Sequence, residues 1–327
     1  MPRLRSYQRK KAGGILPTMS RTRLTPVVHV WTRFGRHLFG GSYGRVDIRV
    51  PEPEDLIVDA GTEKLHALRW PGPGPAMVLL HGLNNNAWAW ARVAAVLAAQ
   101  RDVISLSLRG HGRSTAPGTG YSLADTTSDI LAVLHRLDLG AVDLAGHSWG
   151  GRVAMHVAIT APDRIRSLIL ADPVPPRGLN VVLRAFPALV EAALRPERGP
   201  FRNRAALEAG GKALPYFLRW DALEQRCWFE SFHQEPDGSW HHRLPESGYR
   251  EILEIALRED LTPRLHAIGC PVLWMRPTFS VAFWPGEIAT AKRVLRDLEV
   301  RRIPGDHQFI LTNPRDTAGA ILAFLSR

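Results

Sequence analysis

Ala141-Val142-Asp143-Leu144-Ala145-Gly146-His147-Ser148-Trp149-Gly150 is the stretch on which the reading of this chain turns. Val142, Leu144 and Ala145 make an apolar strand, and helical spacing of apolar residues runs from Trp149 to Thr160. Between them Gly146, Ser148 and Gly150 form G-x-S-x-G. Alone, three fixed positions are a weak signal. Flanked by strand and helix, they describe a sharp turn that lifts a serine oxygen above a sheet. A side chain at either glycine would clash in so tight a bend. The Trp149 N–H and the start of the helix then point at any oxyanion developing beside the serine. A serine hydroxyl is a poor nucleophile until a base takes its proton, so this turn demands a base elsewhere in the chain.

Outward from this turn, short apolar runs alternate with helical stretches. Leu56 to Asp59 and Lys64 to Arg69 read as a hairpin joined at Gly61, and Ala76 to Leu80 as a buried strand ending at His81-Gly82. Trp88 to Ala99 has helical spacing, Asp102 to Leu108 is a strand, and Ser122 to Leu137 a helix opened by a capping box of Ser122 and Asp125. Arg166 to Ala171, Pro271 to Met275 and Glu299 to Ile303 are further strands, with helices at Glu287 to Asp297 and Pro314 to Leu325. Strand–helix alternation requires crossover connections, hence a mostly parallel sheet with helices on both faces. The alternation stops between Pro173 and about Thr262, a helix-leaning stretch rich in large aromatics, Trp220, Trp228 and Phe232 among them.

The 327 residues suffice for one large core with an insertion, and 45% hydrophobic and 22% charged content excludes a disordered or collagen-like chain. The net charge of +11 is local. Residues 1–46 hold ten Lys or Arg and no acid, which leaves 32 basic and 31 acidic residues in the rest. The core is therefore not expected to bind nucleic acid. The leader reads as a basic, poorly ordered extension, or as the product of a start upstream of Met19. Its interleaved Trp31, Phe34 and Phe39 suit weak contact with a membrane or polyanion, and organellar targeting by it stays open. Cys227 and Cys270 offer neither metal-ligand spacing nor a disulfide framework, and a cytoplasmic setting fits them. The pair His241-His242 lacks a third ligand and reads as surface rather than metal site.

Several ordered motifs resemble the α/β-hydrolase superfamily, in its serine-nucleophile branch with a lid after the sixth strand. They are His81-Gly82-Leu83, Arg109-Gly110-His111-Gly112-Arg113-Ser114, the turn at Ser148, Leu170-Ala171-Asp172-Pro173 and Gly305-Asp306-His307. The resemblance implies an α/β core of residues 47–173 and 263–327, with a helical lid over 174–262. It implies Ser148 as nucleophile, His307 as base, and Trp149 and Leu83 as the two oxyanion-hole amides, with no cofactor and no metal. His111, His147 and His156 are read as structural. The acid is harder to place, because Phe279 stands where the family usually carries it. Asp172 at the end of the sixth strand is the expected substitute. Glu287, Asp306 and a site with no acid are the alternatives.

The resemblance further implies a hydrolase acting through an acyl-enzyme on a carboxylic ester, or a related acyl bond, of a hydrophobic small molecule. Relatives of other reaction types, C–C bond hydrolases and acyltransferases, share the same turn. Epoxide hydrolases and haloalkane dehalogenases instead carry an aspartate where Ser148 stands. A non-hydrolytic ligand-binding or decayed member is the rival that Phe279 motivates. Trp220, Trp228 and Phe232 are the candidates for lining a substrate pocket, against the plainer reading that they pack the lid itself. Substrate identity and oligomeric state are not legible.

Overall fold

The computed structural model describes residues 48–177, 194–278, 280 and 285–327. The basic leader and Phe279 lie outside these residues. The strands are β1 (Glu54–Asp59), β2 (Lys64–Trp70), β3 (Ala76–Leu80), β4 (Asp102–Leu106), β5 (Val142–His147), β6 (Ile165–Ala171), β7 (Phe232–Gln234), β8 (Trp240–His242), β9 (Val272–Pro277) and β10 (Leu298–Ile303). The helices are α1 (Ala91–Leu97), α2 (Leu123–Arg136), α3 (Trp149–Thr160), α4 (Arg204–Ala213), α5 (Ala222–Phe229), α6 (Glu246–Arg258), α7 (Pro285–Val294), the single turn α8 (Phe309–Thr312) and α9 (Pro314–Leu325).

Eight strands form one sheet in the order β1-β2-β4-β3-β5-β6-β9-β10. Only β2 runs against its neighbours; β4, β3, β5, β6, β9 and β10 pair in parallel. β5 lies between β3 and β6 near the middle, and every one of its residues is buried. Side chains alternate between the faces of a strand. Val78, Leu80, Leu144 and Leu168 accordingly join the core that includes α2 and α3, while Met77, Leu79, Ala145 and Ile169 join the core that includes α1 and α9. Burial on both faces is why the central strands read as unbroken apolar runs.

Local signals place several boundaries. Gly61 sits at φ +92° in the β1–β2 turn, a conformation that favours glycine. Ser122 Oγ accepts the Asp125 N–H at 3.1 Å while the Asp125 carboxylate accepts the Ser122 N–H at 3.2 Å, the reciprocal cap that opens α2. The segment between β6 and β9 is not purely helical, contrary to its sequence reading. Beside α4, α5 and α6 it holds the antiparallel hairpin β7–β8, whose turn carries Asp237-Gly238 with Gly238 at φ +85°. The Asp-Gly pair is the sequence signal for such a turn, although the strands Phe232-His233-Gln234 and Trp240-His241-His242 each carry one apolar residue.

Candidate active site

Ser148 follows the last residue of β5 and precedes the first of α3, at φ +53° and ψ −115°. Non-glycine residues avoid this region unless their surroundings hold them there. The surroundings here are backbone. The Ser148 N–H donates to Ala171 O at 3.1 Å, and Ser148 O accepts the Val174 N–H at 3.0 Å. A Cβ on Gly146 would lie 2.2 Å from Gly150 O, and one on Gly150 would lie 2.4 Å from His81 O. Both glycines are thus required by close approach of main chains.

His307, in the loop between β10 and α8, brings its Nε2 to 2.9 Å from Ser148 Oγ. Its Nδ1 lies 2.7 Å from Asp172 Oδ2. Asp172 directly follows β6, is buried, and takes φ +41°. Ser280 Oγ is 2.9 Å from each of the two Asp172 carboxylate oxygens. This serine stands one residue after Phe279, so the loop that lacks the usual acid supplies a hydroxyl to the acid on the neighbouring strand.

The sequence reading gave His147 only a packing role. Its Nε2 donates to the main-chain carbonyl of His307 at 2.7 Å, and the two rings lie 4.8 Å apart. A carbonyl accepts only from a protonated nitrogen, so this bond sets the His147 tautomer. Burial holds the His147 pKa well below the usual histidine value, with further depression from His307. His147 is therefore a neutral prop under the loop that carries His307.

Burial also opposes a charge on His307, but the hydrogen bond and charge of Asp172, joined by the charges of Asp306 and Glu197, outweigh it and raise the pKa above the ordinary histidine value. Among the other acids weighed, Asp306 accepts the Gln308 N–H at 2.9 Å. With both His307 ring nitrogens engaged by Asp172 and Ser148, no ring nitrogen is left for Asp306. Glu287 sits buried on α7, where the charges that act on it are those of Arg177, Asp260 and Arg152 rather than His307.

His81-Gly82-Leu83 follows β3 and presses on the turn: a Cβ on Gly82 would lie 2.9 Å from His147 Nδ1 and 3.1 Å from the Ser148 Cβ. Leu83 is the next residue, and Trp149 is the first residue of α3. His156 Nδ1 bonds Thr127 Oγ1 at 2.7 Å, and His111 Nδ1 bonds Arg109 O at 2.9 Å. His242 is buried rather than at the surface, with its Nε2 at 3.3 Å from Asn84 O. The three aromatics singled out for a substrate pocket pack within the segment itself. Trp228 and Phe232 are buried with ring centroids 4.7 Å apart, and Trp220 packs on Phe217 and Phe229. Aromatic rings in such a cluster stabilise the fold of the segment.

Among the described residues, no group of three or more His, Cys, Asp or Glu could hold a metal ion, and no helix is long and apolar enough to cross a membrane.

Comparison with known proteins agrees with the architecture. Residues 75–215 match the α/β hydrolase fold family. The chain is 30% identical over 269 residues to a 2-(acetamidomethylene)succinate hydrolase of Mesorhizobium japonicum, an alignment that covers 82% of this chain and 94% of the relative. It is 35% identical over 292 residues to a fluoroacetate dehalogenase of a Burkholderia species, covering 84% of this chain and 94% of that one. The crystal structure of an E-2-(acetamidomethylene)succinate hydrolase superposes with a TM-score of 0.71 at 27% identity, covering 84% of this chain and 99% of the other. The sheet and its strand-to-helix turn thus define an α/β-hydrolase fold. The chain belongs to the α/β-hydrolase family, and it is a hydrolase.

Proposed function

We propose that the chain cleaves a carboxylic ester, or a related acyl bond, of a hydrophobic small molecule through an acyl-enzyme on Ser148. The observation that carries this reading is the continuous hydrogen-bond chain from Asp172 through His307 to Ser148 Oγ. In it, His307 Nε2 takes the Ser148 proton as the oxygen attacks the acyl carbon. Asp172 holds the imidazole with Nε2 unprotonated toward the serine and stabilises the imidazolium that forms. The tetrahedral oxyanion sits between the Leu83 and Trp149 amides, the second backed by the N-terminus of α3. His307 then returns its proton to the leaving group, and water repeats the cycle to release the acid.

Ser148, in place of an aspartate, separates this chain from the dehalogenase and epoxide-hydrolase chemistry of the fold. The similarity to a hydrolase of an acetamidomethylene succinate favours a second reading of the same site, in which the acyl bond is an amide. Incubation with a fluorophosphonate probe and turnover of short p-nitrophenyl esters test the proposal. Labelling at Ser148, and loss of turnover in Ser148→Ala, are expected. Folded protein that is not labelled, or equal turnover by the two forms, would overturn it in favour of a binding protein.

A further inference from the structure

Asn84-Asn85-Asn86 follows the His81-Gly82-Leu83 loop directly. All three asparagines are buried, and the partners of the first are four residues from three places in the segment between β6 and β9. The Asn84 amide donates to Glu197 Oε2 at 3.2 Å, and its Oδ1 accepts from Arg198 Nη1 at 3.2 Å. Its main-chain carbonyl lies 3.3 Å from both Ser231 Oγ and His242 Nε2. Asn86 adds bonds to Cys227 O at 2.7 Å and Ser231 Oγ at 2.9 Å. Asn84 takes φ +66°, a conformation that asparagine and aspartate tolerate better than other non-glycine residues. A buried polar group held on every side costs free energy when one partner is removed, so these bonds fix the loop in one position.

We propose that Asn84 is a positioning residue: through it, the segment between β6 and β9 holds the adjacent Leu83 amide where the oxyanion forms. The proposal rests on the serine-hydrolase reading of the site. It makes the transition state, rather than ground-state binding, depend on how that segment is docked. The Tyr216 hydroxyl, which bonds the same Glu197 carboxylate, ties the contact further into the segment.

The test is a swap of donor and acceptor. Asn84→Asp keeps the size and backbone tolerance of the side chain and still accepts from Arg198, but it sets one carboxylate against another. Adding Glu197→Gln puts a donor on the other side and restores the bond in reverse. In Asn84→Asp, amide hydrogen exchange over residues 82–86 should rise at least about tenfold while β5 is unaffected. In the ester assay kcat should fall by about 10- to 100-fold, with KM within about twofold, a smaller loss than removal of an oxyanion donor outright. The double variant should recover most of both. If Asn84→Asp does not fold, Ser231→Ala removes another bond to Asn84 and is read by the same exchange measurement. Unchanged exchange over 82–86 would overturn the proposal, as would faster exchange with kcat intact or a double variant without recovery. A wild type that neither turns over esters nor is labelled would refute the serine-hydrolase reading instead, and loop exchange would still judge the contact.

Discussion

Asp172 Oδ2 and His307 Nδ1 meet at 2.7 Å although 135 positions separate them in the chain. One residue follows a central strand, and the other an edge strand. Asp172→Asn keeps the shape and alters what the histidine faces, since an amide nitrogen can oppose the Nδ1 proton and favour the wrong tautomer. Turnover of p-nitrophenyl esters should drop by up to ~10⁴. Glu287→Gln, at a carboxyl that the charges of Arg177, Asp260 and Arg152 act on rather than that of His307, should leave the rate near wild type. Steady-state kinetics of both variants decides the matter, and the reverse pattern would move the acid to α7.

The pH profile should carry the same signature. The base must be neutral to accept the serine proton, so kcat/KM falls as pH drops through the His307 pKa. Asp172, with Asp306 and Glu197, raises that pKa against the opposing effect of burial. The acid limb should therefore have its midpoint above the ordinary histidine value of about 6.5. In Asp172→Asn the main opposition to burial is gone, so the residual activity should show an acid limb displaced to lower pH. A limb that does not move would mean that Asp172 is not what charges the site.

These relationships mark where sequence reading succeeds and where it stops. The turn at Ser148 was legible because backbone crowding at Gly146 and Gly150 admits only glycine, and that requirement is written at fixed spacing. Burial on both sheet faces wrote β3 to β6 as apolar runs. The acid was legible only as a choice, because an aspartate at a strand end has many uses and its partner is remote in sequence. Ser280 and the prop by His147 were not legible. A hydroxyl and an imidazole declare no partner until the fold sets them 2.9 Å and 2.7 Å from one. The aromatic stretch was legible only as a choice, since ring content marks a core as readily as a pocket; Asn84 and Asn86 carry bonds that tie the segment to the loop beside the site.

His147 gives a prediction that separates support from chemistry. His147→Phe keeps an aromatic ring but removes the donor to His307 O, leaving a buried carbonyl without that bond at a cost of about 1–3 kcal/mol. Thermal denaturation should show the loss of stability. The His307 loop should loosen, with kcat lowered by about tenfold or more, since misplacement by about 1 Å can cost 10²-fold. His147→Gln, whose side-chain amide can still donate, should recover part of both. Equal kcat in wild type and His147→Phe would show that the loop needs no such prop.

Stability should fall on the acid side. Burial lowers the pKa of His66 and His156 to about 4 and of His111 and His242 to about 3, and takes His81 and His147 well below the usual value. A group depressed in the folded state binds its proton only in the unfolded state between the two pKa values. Stability then rises with pH across that window and is lost as pH falls below about 6.5. Each such histidine withdraws about 1.4 kcal/mol per pH unit. His307 works in the opposite sense, since its raised pKa favours the folded state at low pH, and so do the carboxyls of Asp129, Glu197, Glu224, Glu287 and Asp306, whose pKa values burial raises. The melting temperature, followed from pH 8 to pH 5, should be nearly flat above pH 7 and should fall below pH 6. A melting temperature that holds from pH 7 to pH 5 would mean that these histidines are protonated in the folded protein, and would contradict their burial as neutral rings.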